Sequence, residues 1–233
     1  MKIKTITAFL LLTFAAIAAL YSQNSQDNRS LHPFNKVRVT GKINIYVSTD
    51  TCFVAKIEAN GIEPSHIITE VEDSVLTVKL GKGMHRDYSV DIYMSCGQIV
   101  DAYVKSGGRI SFQDTLVATS AVLTAGINST VDVSVRLSLV DVTSENGGIV
   151  NVSGYADRIN AKVRTGGTLS ALQLASDSAY VSVSTKGLAK VNVSKFIDAS
   201  IRSAATLTLT GNPESKKIQT GVGATLIEQQ DDI

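Results

Sequence analysis

The sequence has no tryptophan, three prolines and two cysteines among 233 residues. Scarce proline leaves the backbone donors intact, so strand ladders can run unbroken. Two cysteines exclude a disulfide-dense scaffold, so stability must come from a core, and a chain of this length can bury one. An excess of either charge is also missing: 22 basic against 21 acidic residues leave a net +1. With no Lys/Arg stripe either, the electrostatic footprint that nucleic acid requires is absent.

Motifs for chemistry are equally scarce. No G-x-S-x-G nucleophile elbow occurs, and no H-E-x-x-H, phosphate-binding loop or EF-hand pattern. The three histidines, His32, His66 and His85, fall in expected loops and not at ligand spacing. Cys52 and Cys96 lie in no C-x-x-C and beside no histidine. No metal or cofactor is therefore expected.

The one long apolar run is at the N-terminus. Lys2 and Lys4 precede Ile6 to Leu20, an uncharged stretch of about 15 residues that is short for a membrane span. Ala16 and Ala18 satisfy an A-x-A cleavage pattern, and Ser22 is another possible end. Residues 1–22 are expected to be a signal peptide and 23–30 a polar leader. No second apolar run reaches membrane length, so no integral membrane segment is expected after cleavage. No cysteine follows the run before Cys52, which argues against a lipoprotein attachment site. Export permits a disulfide between Cys52 and Cys96; two free thiols are the alternative.

What is present is Val, Thr, Ser and Ala in strand periodicity. Val37, Val39, Ile43, Ile45 and Val47 alternate around Gly41. Phe53 to Ala59 ends at an Asn60-Gly61 turn signal, Pro64 marks a turn or short helix, and the runs 68–71 and 75–80 flank Glu72-Asp73-Ser74 as a hairpin. Val90 to Met94 alternates again. Residues 31–97 are thus predicted to be an N-terminal β-sheet.

From about Gly97 the sequence repeats itself. An aliphatic residue, a variable one, Ser or Thr, and a Gly-containing turn recur as Val104-Lys105-Ser106-Gly107-Gly108 and Val163-Arg164-Thr165-Gly166-Gly167. The aliphatic anchors Val104, Val122, Val142, Val163, Val183, Ile201 and Ile218 are spaced 18, 20, 21, 20, 18 and 17 residues apart. About 20 residues at ~3.3 Å each close one turn of a β-solenoid. The fold class predicted is all-β: an N-terminal strand-rich sheet continuing into a single-stranded β-helix, or solenoid, over 98–228. The two parts are expected to form one domain, ending in a polar tail at 229–233. A sandwich of hairpins is the competing architecture.

Four segments then carry a family resemblance. Phe34-Asn35-Lys36-Val37 with Gly41-Lys42-Ile43-Asn44-Ile45, the run Glu70 to Val78, Val90-Asp91-Ile92-Tyr93-Met94 and Val104-Lys105-Ser106-Gly107-Gly108 occur in the order and spacing of one family. Over about Leu31 to Glu228 the chain resembles the bacterial head GIN domain family, named for autotransporter adhesins. The resemblance implies a secreted, β-helix-like protein of the Bacteroidetes type, without defined catalytic residues. No stretch resembles a membrane barrel, so "autotransporter" does not apply literally.

Three functional classes remain. A polysaccharide-acting enzyme would need paired outward carboxylates. Asp101, Asp141, Asn160 and Asp198 align six residues before the corner, interrupted by Ser120 and Tyr180. Asp101 and Asp141 would lie two turns, ~9–10 Å, apart. Stacked Asp and Asn also cap strand ends at corners, and that reading is preferred. A glycan- or matrix-binding module would want aromatic platforms; of Tyr46, Tyr88, Tyr93, Tyr103, Tyr155 and Tyr180, the pair Tyr93 and Tyr103 near the junction of the halves is favoured. A rigid envelope spacer is the third class. The expected function is a non-enzymatic exported adhesin, with a glycan or an extracellular or cell-surface protein as partner. No oligomeric state is implied.

Overall fold

The computed structural model describes residues 25–83 and 87–229. The expected signal peptide, His85 and residues 230–233 of the tail lie outside the described residues.

Among the described residues, seventeen strands form one sheet wound into a solenoid. β8 (Asp101–Lys105) and β9 (Arg109–Phe112) open the regular coils. β10 (Leu116–Gly126), β11 (Thr130–Glu145), β12 (Ile149–Arg164), β13 (Thr168–Val183) and β14 (Leu188–Ile201) follow. β15 (Thr206–Thr210), β16 (Ser215–Thr220) and β17 (Thr225–Glu228) complete the far end. Each coil pairs in parallel with the next, which is the predicted solenoid and excludes the sandwich. The strands entering each corner form one stack, the leading face; those leaving it form a second, the trailing face.

Inward positions stay apolar from coil to coil. On the leading face Ala102, Leu123, Val142, Ala161, Val181 and Ala199 stand in one column, all buried. On the trailing face Ile110, Val131, Val150, Leu169, Ala189 and Leu207 do the same. The columns mix Ala with Val, Leu and Ile, side chains small enough to pack within a narrow interior.

The corners explain the repeat. Each is a pair of consecutive left-handed residues: Ser106-Gly107, Ile127-Asn128, Asn146-Gly147, Thr165-Gly166, Thr185-Lys186 and Ser203-Ala204. A non-glycine residue held there costs about 1–2 kcal/mol. Hydrogen bonds between corners offset the cost. The second residue of each corner donates its N–H to the first residue's carbonyl in the next coil: Gly107 to Ile127 (3.0 Å), Asn128 to Asn146 (3.1 Å), Gly147 to Thr165 (3.2 Å), Gly166 to Thr185 (3.0 Å) and Lys186 to Ser203 (3.0 Å). The third corner residue is small for another reason. A Cβ on Gly148 would lie 2.2 Å from the Ala125 carbonyl oxygen, and one on Gly167 2.4 Å from that of Ser144. In Gly-Gly pairs the first glycine eases the turn and the second permits close stacking.

Register corrects part of the sequence alignment. Val104 pairs with Ala125, not with Val122, and Val122 is 41 % exposed on the outer surface. The corner there is Ile127-Asn128-Ser129, which has no glycine, whereas Gly126 precedes it; aligning on glycine shifted that coil by three residues. Val142 and Ile218 belong to the column of Val181, two residues from that of Val183. A two-residue slip keeps an inward residue inward, so hydrophobic pattern alone cannot detect it.

The N-terminal strands extend the same stack. β2 (Lys36–Thr40) lies between β6 (Val75–Leu80) and β8, and β3 (Asn44–Thr49) between β7 (Ser89–Cys96) and β9, all parallel. Antiparallel strands then close this end: β4 (Val54–Asn60) on β7, and β5 (Ile67–Glu72) on β6 through the expected hairpin. The expected turn at Pro64 is a short 3-10 helix, Pro64–His66. The segment expected as a leader is instead a strand, β1 (Ser25–Ser30), antiparallel to β4. Its Arg29 guanidinium donates to the carbonyls of Ile67 (2.6 Å) and Pro64 (2.7 Å) and to Thr69 Oγ1 (2.9 Å). A polar strand can be held at an edge by such bonds, which a hydrophobic periodicity does not reveal.

The far end is closed differently. Lys216 pairs with Ile197 and Glu228 with Leu209, both inward columns. Their side chains form an ion pair of 2.9 Å. Inward charges on a terminal rung oppose edge-to-edge growth.

Two outcomes follow. Gly167→Ala, forced against a backbone oxygen, is expected to destabilise by about 2 kcal/mol or more, while Gly166→Asn, with open space around its Cβ position, costs less than about 1 kcal/mol; thermal unfolding of the two variants would refute the corner account if their order were reversed. The double variant Lys216→Leu/Glu228→Leu is expected to associate end to end, read by light scattering; a strictly unchanged molecular mass would contradict the capping role.

Candidate functional site

The leading face presents two outward columns. The first runs Lys36, Asp101, Val122, Asp141, Asn160, Tyr180, Asp198, Lys217. The expected Asp column therefore exists, interrupted by Tyr180 as read and by Val122 instead of Ser120. The second, two residues closer to the corner, includes Tyr103, Thr143, Lys162, Ser182 and Ser200. Between β11 and β14 these columns line an open groove of about 650 Å³.

Asp101 and Asp141 stand two rungs apart, one on each side of Val122, at the separation expected of ~9–10 Å. Their carboxylates have different partners. The Arg38 guanidinium donates to both Asp101 oxygens at 2.7 and 2.8 Å. That bond, ahead of the opposing effect of burial, raises the Arg38 pKa above its ordinary value. Asp141 Oδ1 instead accepts from Asn160 Nδ2 at 2.7 Å. Farther along, Lys217 binds Asp198 at 2.8 Å, and this bond raises the lysine pKa. Each carboxylate thus has its own partner, as stacked corner-proximal Asp and Asn do.

Tyr93 and Tyr103 are not brought together. Tyr93 is on the trailing face, 46 % exposed, with its ring stacked on Tyr46 at 5.1 Å and 17° between planes. Each ring covers one face of the other, so this stacked pair stabilises the sheet, and it lies away from the groove. Tyr103 is on the leading face, half-buried, with the Arg38 guanidinium 5.6 Å and the Lys105 ammonium 5.8 Å from its centroid. The ring that the groove presents is Tyr180, 42 % exposed, with the Arg158 guanidinium over it at 5.5 Å from its centroid and Phe196 tilted against it at 5.7 Å. In the sequence it appears only as a break in the Asp column; that position, an aromatic among stacked polar rungs, was the available signal. Lys162 had none, since one exposed lysine on a strand is unremarkable.

The thiols are both free. Cys96 is buried in an inward column and Cys52 is exposed, so they present to opposite sides of the wall. Burial pushes the Cys96 thiol up to about 12. Among the described residues no group of three or more His, Cys, Asp or Glu could hold a metal ion, and no helix is long and apolar enough to cross a membrane.

Fold and surface together define a single-stranded β-solenoid with a polar, grooved outer face. The chain belongs to the family described as "Putative auto-transporter adhesin, head GIN domain", whose model matches residues 33–213. Among solved structures, it is similar to a putative adhesin from Bacteroides fragilis, with TM-score 0.80, 19 % identity and coverage of 89 % of this chain and 97 % of that one. A putative adhesin from Parabacteroides distasonis gives 0.72, 19 %, 89 % and 98 %. A protein from the same species titled a putative lipid binding protein gives 0.66, 13 %, 89 % and 97 %. No curated protein matches.

A thiol reagent at neutral pH should label Cys52 quickly and Cys96 only after unfolding, because the buried group stays protonated. One equivalent native and two in denaturant is the expected titration of reduced protein; protein purified without reductant that shows none in either state would instead establish the disulfide.

Proposed function

We propose that the chain is an exported, non-enzymatic adhesin of the cell envelope or surface, holding glycan on the outer face of its solenoid. Its family membership and the adhesin names of its structural relatives support the adhesive part. The N-terminal apolar run with its cleavage pattern supports export. The observation that carries the glycan part is the leading face. Its outward positions over successive coils offer carboxylate, amide, hydroxyl and ammonium groups on a rigid backbone, with one exposed ring among them. Such a surface recognises hydroxyl-rich ligands by side-chain hydrogen bonds and ring stacking. The separate partnering of Asp101 and Asp141 supports binding over hydrolysis, since a hydrolase needs one acid and one base converging on the same bond.

The test is a glycan and matrix-protein array probed with residues 23–233, followed by analysis of the bound glycan. Saturable glycan binding with no shortened products is expected. Release of shortened glycan would overturn the non-enzymatic reading, and no binding to any glycan would favour a structural spacer.

A further inference from the structure

We propose that the groove between β11 and β14 is the binding subsite for an uncharged glycan segment, extended along the solenoid axis and anchored on Tyr180. This rests on the glycan-binding reading above and names its site and ligand class.

The chemistry of the groove selects the ligand. Its walls are the face of a sheet, so its backbone N–H and C=O groups are engaged in the parallel ladder. An extended peptide binds sheets by adding to an edge, and this face offers none. What remains is side-chain recognition. Asn160 Nδ2 engages Asp141 Oδ1, which leaves Asp141 Oδ2 and Asn160 Oδ1 without a protein partner among the described residues. Both are acceptors, suited to sugar hydroxyl donors. Thr143, Ser182 and Ser200 line the same groove and add hydroxyls that donate or accept. Tyr180, one rung beyond Asn160 in the same column, supplies the ring for an apolar sugar face. The Arg158 guanidinium lies over one face of that ring and restrains it before any ligand arrives, which lowers the ordering cost of binding and leaves the sugar the rest of the exposed ring.

Charge then narrows the class. Asp141 and Asp198 face Lys162 within the groove, Lys217 at its rim and Arg158 over the Tyr180 ring, two acidic against three basic groups. With both signs interspersed and an excess of one, the site gives little electrostatic advantage to a polysaccharide of either charge. Geometry sets the direction. The rungs repeat every ~4.8 Å, so from β11 to β14 like groups are offered over roughly 14 Å along the axis. A ligand running across the strands meets them in turn, whereas one running along a strand meets only one rung.

The experiment measures binding of immobilised neutral and uronate-containing glycans to residues 23–233 and to four variants, each checked to be folded at the assay temperature by cooperative thermal unfolding. Tyr180→Ala, on an exposed side chain, is expected to weaken neutral-glycan binding at least tenfold, and Tyr180→Phe, which keeps the ring, by threefold or less. Tyr93→Ala and Tyr103→Ala should stay within twofold. Binding of the neutral glycan should change little between about 50 mM and 500 mM salt, because the ligand carries no charge to be screened. If glycan binds but Tyr180→Ala binds as tightly as the parent chain, the groove assignment is overturned while the glycan reading stands. Binding confined to acidic glycans, lost at high salt, overturns the ligand class. Absence of binding to every glycan overturns the glycan reading and this inference together.

Discussion

The structure depends on how closely one corner can lie against the next. At the third corner residue a side chain would meet the backbone oxygen of the preceding coil, at 2.2 Å for Gly148 and 2.4 Å for Gly167. The position is held by glycine or by a small buried side chain, as at Ser129 and Ala205. That proximity brings the corner N–H groups to the carbonyls of the next corner, so the hydrogen-bond ladder continues around the bend. Without it the turns would present unsatisfied backbone groups every coil, each costing about 1–3 kcal/mol if buried.

A ladder continuous through the corners fixes register on both sides of them. Because the side-chain period in a strand is two, fixed register also fixes which residues face inward over the whole length. The outer columns follow from the same constraint. Asp141, Asn160, Tyr180 and Asp198 are 18 to 20 residues apart in sequence, yet each neighbours the next because their corners are stacked. The groove is therefore a property of the repeat and does not depend on any one loop. The two ends show what the repeat alone cannot supply. One is finished by antiparallel strands tied through Arg29, the other by an inward Lys216–Glu228 pair.

The solenoid was legible because its inward columns are apolar and its corners carry Gly, Ser and Thr at intervals near 20 residues. Register was legible at Val163, Val183 and Ile201, slipped by two residues at Val142 and Ile218, and failed at Ile127-Asn128, where the glycine precedes the left-handed pair. Left-handed geometry is a sterically disfavoured state that tertiary hydrogen bonds can impose on many residue types, so composition marks it unevenly. β1 was missed because its polar sequence has no hydrophobic period; pairing with β4 and the Arg29 bonds hold it. The aligned Asp residues were visible from spacing alone, but their separate partners were not. Arg38 reaches Asp101 only because β2 is threaded between β6 and β8, an order that no local pattern encodes. The same threading explains why Tyr93 and Tyr103, 10 residues apart in sequence, lie in different strand stacks.

Amide hydrogen exchange at the corners tests this account most directly. Turn amides in β proteins ordinarily exchange fast, because they point to water. If the corners are rungs of the ladder, the N–H groups of Asn128, Gly147, Gly166 and Lys186 should be protected to nearly the same degree as strand amides in β11 to β14. Corner amides that exchange as fast as those of an exposed loop, within protected strands, would contradict the stacked-corner ladder and the register built on it.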